Sequence, residues 1–335
     1  MSVGQREQYF FGHGKLLLSG EYFVLDGAHA LALPTRLGQS LTVRYRKTFA
    51  PKLIWKSFDV EGHKWFEAEM ELWQFNSINQ ETNETLEVLR KILQEARVLN
   101  PHFLREEVEV TVETKLDFPV DWGLGSSSSL IYNIAQWAYV SPFELAFRTL
   151  GGSGYDIACA QSLGPIMYQK KVEGPSWRQV NFNPAFASSI YFVSLGKKAY
   201  TSEALAYYKK AEIKDKERII NIISHLTDEI ITAQTLGEFE SLLLTHEKCV
   251  SDALQLQRMQ DLYFSDYWGV VKSLGAWGGD FVLVTSDRGQ AETASYFREK
   301  GFSNLIPYAD LIGNYMTKPS PFYLPNSISN ETLLQ

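Results

Sequence analysis

The sequence predicts an α+β protein of two domains, and three observations carry that expectation. Short apolar runs cut by Gly and Pro recur through the first half and read as strands. Segments with helical apolar spacing are interspersed and dominate much of the second half. The two kinds of segment do not alternate strictly, which favours two α+β layers over a doubly wound parallel sheet. A chain of 335 residues is long for one average domain and comfortable for two.

In chain order, "KLLLSG", "EYFVLDG" and "ALALPT" read as short strands. "SLTVRYR" alternates, with Leu41, Val43 and Tyr45 on one face. The spacing of Leu86, Leu89, Ile92 and Leu93 predicts a helix over 81–98. "EVEVTVET" is the cleanest strand, with Val108, Val110 and Val112 pointing one way. A second helix is expected to start in the serine run and continue through Leu130, Ile131, Ile134 and Ala135, limited by Pro142. A third starts near Asp156. The stretch 172–188 carries two prolines and little periodicity, so the domain boundary is placed there, giving domains 1–180 and 181–335. Beyond it come a strand ("SIYFVS") and helices at 202–212, 215–234 and 237–256. The middle helix has a stripe of Ile219, Ile220, Ile223, Leu226 and Ile230. After the segment "GVVKSLGAWGGDFVLVTS" follow a helix over 289–300, a final extended piece, and a polar, Pro-rich tail from 319.

Composition narrows the function classes. Apolar residues make up 45% and charged residues 21%, ordinary for a globular chain with a core large enough to need no disulfide or metal staple. A net charge of -7 argues against a nucleic-acid partner. The two cysteines, Cys159 and Cys249, are far apart, which excludes a zinc ribbon and fits a reducing compartment. The N-terminus does not read as a signal peptide, and no apolar run approaches the roughly 20 residues of a membrane span. The expectation is a cytoplasmic protein, monomer or homodimer, acting on a small-molecule substrate without a membrane partner.

Three glycine-rich loops carry the chemistry. In "DWGLGSSSSL", residues 121 to 130, Gly123 and Gly125 would let an anion approach the backbone. Ser126 to Ser129 add donors at a helix start, where free N–H groups and the dipole favour negative charge. The competing reading is an ordinary turn with Ser126 as N-cap. In "GGSGYDIA", Asp156 is either the N-cap of a helix or a carboxylate held to orient a hydroxyl. In "KSLGAWGGDF", three glycines beside a strand suggest a second close backbone approach, or a simple turn. Lys15 reads as a surface charge or as a cation reaching an anionic substrate. None of these is a Walker A loop, since "YFFGHGKLL" lacks G-x-x-x-x-G-K-S/T. G-x-S-x-G, the nucleophile elbow, is absent too. Trp55, Phe66 and Trp73 are either a nucleotide-pocket lining or core.

The order of these loops resembles the galactokinase, homoserine kinase, mevalonate kinase and phosphomevalonate kinase superfamily, the GHMP kinases. The matching pieces are "GK-x-x-x-x-GEY-x-VL", "GLGSSSS", "GSGYD" and "GAWGGD", spread over roughly residues 10 to 285. The resemblance implies a mixed N-terminal sheet with helices that binds ATP, and a ferredoxin-like C-terminal domain. It implies that Gly123, Leu124, Gly125, Ser126, Ser127 and Ser128 cradle the ATP phosphates and that Ser127 is a Mg²⁺ ligand. Asp156 would be the catalytic aspartate, with Lys15 steadying it and the transferring phosphoryl. The acceptor side would draw on Gly20, Glu21 and Tyr22, on Ser153 and Gly154, on Lys197, and on Gly275, Ala276 and Gly278.

Within the superfamily, details look most like phosphomevalonate kinase. Tyr22 stands where mevalonate kinases typically carry a histidine, the aspartate loop reads "GSGYDIA", the last motif ends at Asp280, and "KKAYTSEAL" resembles a substrate-side segment. The implied reaction is ATP-dependent phosphorylation of phosphomevalonate. The alternatives are mevalonate kinase, mevalonate diphosphate decarboxylase, or a catalytically retired ligand-binding protein. Three departures stand out. Trp277 replaces a glycine and would fill space or restrict its loop. Asp121 stands where bacterial phosphomevalonate kinases tend to carry a lysine. Glu144 is the nearby acid closest to the Mg²⁺ glutamate position of mevalonate kinases, at a shifted offset.

Overall fold

The computed structural model describes residues 7–78, 81, 83–106, 108–196, 201–277 and 280–313. Two sheets organise it. The first holds β1 (Glu7–Ser19), β2 (Ala30–Lys47), β3 (Leu53–Phe58), β4 (Lys64–Met70) and, after helix α1 (Glu84–Leu99), β5 (Val108–Leu116). Three helices follow: α2 (Ser126–Ala138), α3 (Pro142–Thr149) and α4 (Tyr155–Gln161). β6 (Ile166–Lys171) and β7 (Gly174–Gln179) complete the sheet. Its order is β4-β3-β5-β2-β6-β7, with β1 lying along β2. The β3–β5 pair is parallel and the other pairs are antiparallel.

The second sheet opens with β8 (Ile190–Ser194). Helices α5 (Thr201–Lys210), α6 (Lys216–Thr232), α7 (Leu236–Leu254) and α8 (Met259–Tyr263) come next. They are followed by β9 (Val271–Ser273), β10 (Phe281–Thr285), α9 (Gly289–Glu299), β11 (Leu305–Pro307) and α10 (Tyr308–Ile312). The order is β11-β8-β10-β9, all antiparallel. This is the expected α+β class. Among the described residues no helix is long and apolar enough to cross a membrane.

The elements form for local reasons. Asn83 caps α1 by accepting from Leu86 N, and Leu86, Leu89, Ile92 and Leu93 are buried as their spacing predicts. They join Val43, Val110, Ile131 and Ile134 in one core on the first sheet. A second core, with Leu16, Leu33, Leu116 and Leu124 from one side and Phe192, Phe281, Leu283 and Phe239 from the other, joins the two sheets. The loop carrying Leu124 and the second sheet are therefore packed on common apolar residues, which fixes their separation.

Several expectations are corrected. "EYFVLDG" is not a strand but a 3-10 turn, Phe23–Asp26, because Gly20, Tyr22 and Gly27 all take positive φ and reverse the chain. "ALALPT" and "SLTVRYR" are one strand, β2; Pro34 is carried opposite Lys15, beside the register shift at His13/Gly14. Pro142 does not end α2, which stops at Ala138 with Tyr139 left-handed; it opens α3 behind the cap Ser141. β7 forms inside the stretch that reads as aperiodic, and the final extended piece is β11 followed by α10. The tail from 319 lies outside the described residues.

Candidate active site

Gly125, at φ 90, is the N-cap of α2, and no side chain caps that helix. Ser126 as an N-cap is therefore excluded. The first-turn N–H groups are left without a side-chain acceptor, at the positive end of the helix dipole. Gly123 and Gly125 have φ of 63° and 90°, a conformation that costs other L-residues roughly 1–2 kcal/mol. Space demands glycine as well. A Cβ on Gly123 would fall 2.0 Å from Asp280 Cγ, and one on Gly125 would fall 2.9 Å from Lys15 Cγ. Leu124 is fully buried and accepts the Lys15 N–H at 2.8 Å, so it anchors the loop and offers a ligand only its backbone.

The four serines divide. Ser127 is exposed and Ser126 half-buried, while Ser128 and Ser129 are buried. Ser129 Oγ donates to Gln39 Oε1 at 3.0 Å. Ser128 Oγ donates to Asp156 Oδ2 at 2.5 Å, so its hydroxyl serves the aspartate rather than the outer face of the loop. Asp156 Oδ1 accepts from Ile157 N at 3.0 Å. Asp156 is not a helix cap; Gly154, at φ 94, caps α4, and Asp156 is the second helical residue. The Ser153–Gly154 turn is held by Tyr168, whose hydroxyl donates to Ser153 O. A Cβ at Gly154 would meet that hydroxyl at 3.0 Å.

Lys15 Nζ donates to Gly123 O at 2.7 Å. Lys15 and Asp156 also act on one buried atom. Burial pushes the Cys159 thiol well above its ordinary range, with Asp156 adding to the shift and Lys15 opposing it. The Tyr155 hydroxyl is likewise held high by burial and then by Asp156, Cys159, Glu21 and Asp280. Groups from "GEY", "GSGYD" and "GAWGGD" thus lie within electrostatic reach of Tyr155. "GHG" in β1 was a readable signal of this packing: Cβ atoms there would meet Ser129 O at 3.0 Å (Gly12) and Leu124 O at 2.9 Å (Gly14).

The third loop joins β9 to β10. Ala276 O accepts from the Tyr22 hydroxyl at 3.1 Å, and the Tyr22 ring stacks on Tyr208 with centroids 5.7 Å apart. Trp277, at φ 57, donates its indole N–H to Gln257 O at 2.8 Å and packs on the cluster of Tyr22, Phe23 and Tyr208. The indole is therefore anchored beyond the C-terminal end of α7. Lys197 and Gly278, with Lys198 and Gly279, lie outside the described residues. The side chain of Glu21, assigned to the acceptor side from the sequence, is instead sealed in the interior, with Lys272 Nζ 2.5 Å from Oε1. Lys272, His246 and Glu247 around it were missed, since nothing local in the sequence marks them. Asp121 is exposed, and Glu144 is exposed and paired with Arg148 at 3.1 Å. Trp55 and Phe66 are core, whereas Trp73 is exposed beneath the Arg105 guanidinium.

The chain matches no family model and no curated protein. Solved structures do match it. Mevalonate kinase of Methanococcus jannaschii is 14% identical with a TM-score of 0.64, covering 91% of this chain and 98% of that one. Phosphomevalonate kinase of Streptococcus pneumoniae, in complex with phosphomevalonate and AMPPNP, is 15% identical with a TM-score of 0.60, covering 88% and 95%. Galactokinase of Lactococcus lactis, complexed with galactose, is 13% identical with a TM-score of 0.60, covering 88% of each. These likenesses establish the fold, which is that of the GHMP kinases.

Proposed function

We propose that the chain is an ATP-dependent small-molecule kinase whose acceptor is phosphomevalonate. The observation that carries the reading is the convergence of Lys15, the uncapped start of α2 and Asp156 on the loop from Gly123 to Ser128. The residues fit a nucleotide. The bare backbone at Gly123 and Gly125 lets the Asp280 carboxylate and the Lys15 side chain close on the loop, and the backbone N–H groups of Ser126 and Ser127 at the helix start suit phosphate oxygens. The exposed Ser127 hydroxyl is an oxygen donor suited to Mg²⁺. Bound Mg²⁺ would supply neutralisation of phosphate charge.

Phosphoryl transfer asks chiefly for positioning and charge stabilisation. Asp156, fixed at both oxygens by Ser128 and the Ile157 N–H, orients the attacking oxygen. Where that oxygen belongs to a phosphate, no strong base is needed and the Lys15 charge carries more of the work. Tyr22 and the "GSGYD" loop support the acceptor assignment. The test is ADP release with Mg-ATP against mevalonate, phosphomevalonate, diphosphomevalonate, homoserine and galactose. Turnover on phosphomevalonate is expected. Turnover on mevalonate alone moves the acceptor, and CO₂ release from diphosphomevalonate replaces the reaction. Absence of both turnover and an ATP-dependent thermal shift overturns the kinase reading.

A further inference from the structure

At the turn of Gly20 to Phe23 lies a buried ionic cluster that the proposed chemistry does not use. Glu21 and Lys272 are 0% exposed, His246 0% and Glu247 2%. Lys272 Nζ donates to Glu21 Oε1 at 2.5 Å and to Ser273 O at 3.0 Å, and lies 3.7 Å from Glu247 Oε2. Glu247 Oε1 accepts from Ser273 N at 3.0 Å and from Ser273 Oγ at 2.7 Å. His246 Nε2 accepts from Gly20 N at 3.0 Å, so the neutral ring carries its proton on Nδ1.

Each member sits next to something the site needs. Glu21 follows Lys15 on the same run of chain and directly precedes Tyr22. Lys272 lies in β9, just before Leu274 and Gly275 of the third loop. Glu247 and His246 face both from α7. The Lys272–Glu21 contact thus ties the "GEY" turn to the strand leading into the third loop, and the Tyr22 hydroxyl ties the same two segments through Ala276 O.

An ion pair is a poor choice for stability alone. Desolvation cancels much of its attraction, and apolar packing of equal volume does as well or better. This one is also incompletely satisfied: Glu21 Oε2, Glu247 Oε2 and His246 Nδ1 have no hydrogen-bond partner among the described residues. What directional charges supply here is geometry. We propose that Lys272 is a positioning residue, its buried ammonium holding the loop from Leu274 to Trp277 in register with the turn of Gly20 to Phe23. The inference rests on the kinase reading for its kinetic consequence, but the loop register can be measured without it.

The experiment compares Lys272→Met, Glu21→Gln and the double variant in the full chain. Four quantities are read: melting temperature, kcat, KM for ATP, and amide exchange over 20–23 and 274–277. At about pH 8, above the Glu21 carboxyl's value of about 7, each single variant should lose stability, because it leaves buried charge unbalanced, and the double variant should recover part of it. The double variant should nevertheless keep a kcat about 100-fold down, the scale of a 1 Å misplacement. Its KM for ATP should stay within about threefold, and exchange over 274–277 should rise about tenfold. Recovery of kcat together with stability, or unchanged exchange in the folded double variant, overturns the proposal. If the wild type turns over no acceptor and shows no ATP-dependent thermal shift, the kinase reading fails, and the exchange data still decide whether Lys272 sets the loop.

Discussion

Replacing Ser128 by alanine isolates how Asp156 is aimed. The hydroxyl donates to Asp156 Oδ2 at 2.5 Å, and the other carboxylate oxygen keeps the Ile157 N–H at 3.0 Å. Hydrogen bonds to charged groups contribute about 1.5–3 kcal/mol. If that energy is realised in the transition state, its loss lowers kcat by about 10- to 150-fold, at 1.36 kcal/mol per tenfold. Ser128 is buried and offers its hydroxyl to the aspartate, so KM for ATP should stay within about threefold. Alanine is a good helix former, so the fold should tolerate the change. ADP release under saturating acceptor gives kcat, and an ATP titration gives KM. A drop in kcat below about twofold, or a rise in KM for ATP with unchanged kcat, would refute the role given to this pair.

Asp156→Asn should lower turnover by at least about 100-fold, with ATP affinity by calorimetry nearly unchanged; near-normal turnover would place the catalytic group elsewhere. Lys15→Met removes the donor to Gly123 O and should cost both turnover and, by about tenfold, ATP affinity; an unaffected affinity would detach Lys15 from the phosphates. Gly123→Ala meets Asp280 Cγ at 2.0 Å at a φ of 63°, and should abolish the thermal shift given by Mg-ATP, so a wild-type shift in this variant would refute the cradle. Burial pushes the Glu21 carboxyl from 4.5 to about 7, so the folded state holds a proton there that the unfolded chain releases. Its contribution to stability is full below pH 4.5 and falls by on the order of 3 kcal/mol as pH rises to about 7. His246, held well below 6.5 by burial and then by Lys272, has the opposite slope. The difference between Glu21→Gln and wild type removes it: the variant should gain melting temperature relative to wild type from about pH 5 to about pH 7.5, and a constant difference would contradict the buried proton.

The parts of the site that were legible are those written in local chemistry. Gly123, Gly125 and the serines mark a helix start whose backbone must stay bare, and "GSGYD" marks a tight turn ahead of a helix. The cleaner amphipathic patterns, such as that of α1, gave elements close to those observed. Pairings across the chain were not legible. Ser128 meets Asp156 only because α2 and α4 pack together, and Lys272 meets Glu21 across 251 positions. Periodicity also misled at "EYFVLDG", where an apolar run is bent by positive φ at Gly20, Tyr22 and Gly27. At Trp277 the residue type signalled an obstruction, whereas its surroundings, Gln257 O and the Tyr22 cluster, give the indole a place of its own.

The central claim is that the start of α2 holds the phosphates of ATP within reach of Asp156 and Lys15. A crystal structure with Mg-AMPPNP tests it most directly. The account predicts phosphate density against the backbone from Gly123 to Ser127, the ion beside the Ser127 hydroxyl, and the terminal phosphate facing Lys15 and Asp156. Nucleotide bound elsewhere, or no nucleotide at saturating concentration, would contradict it.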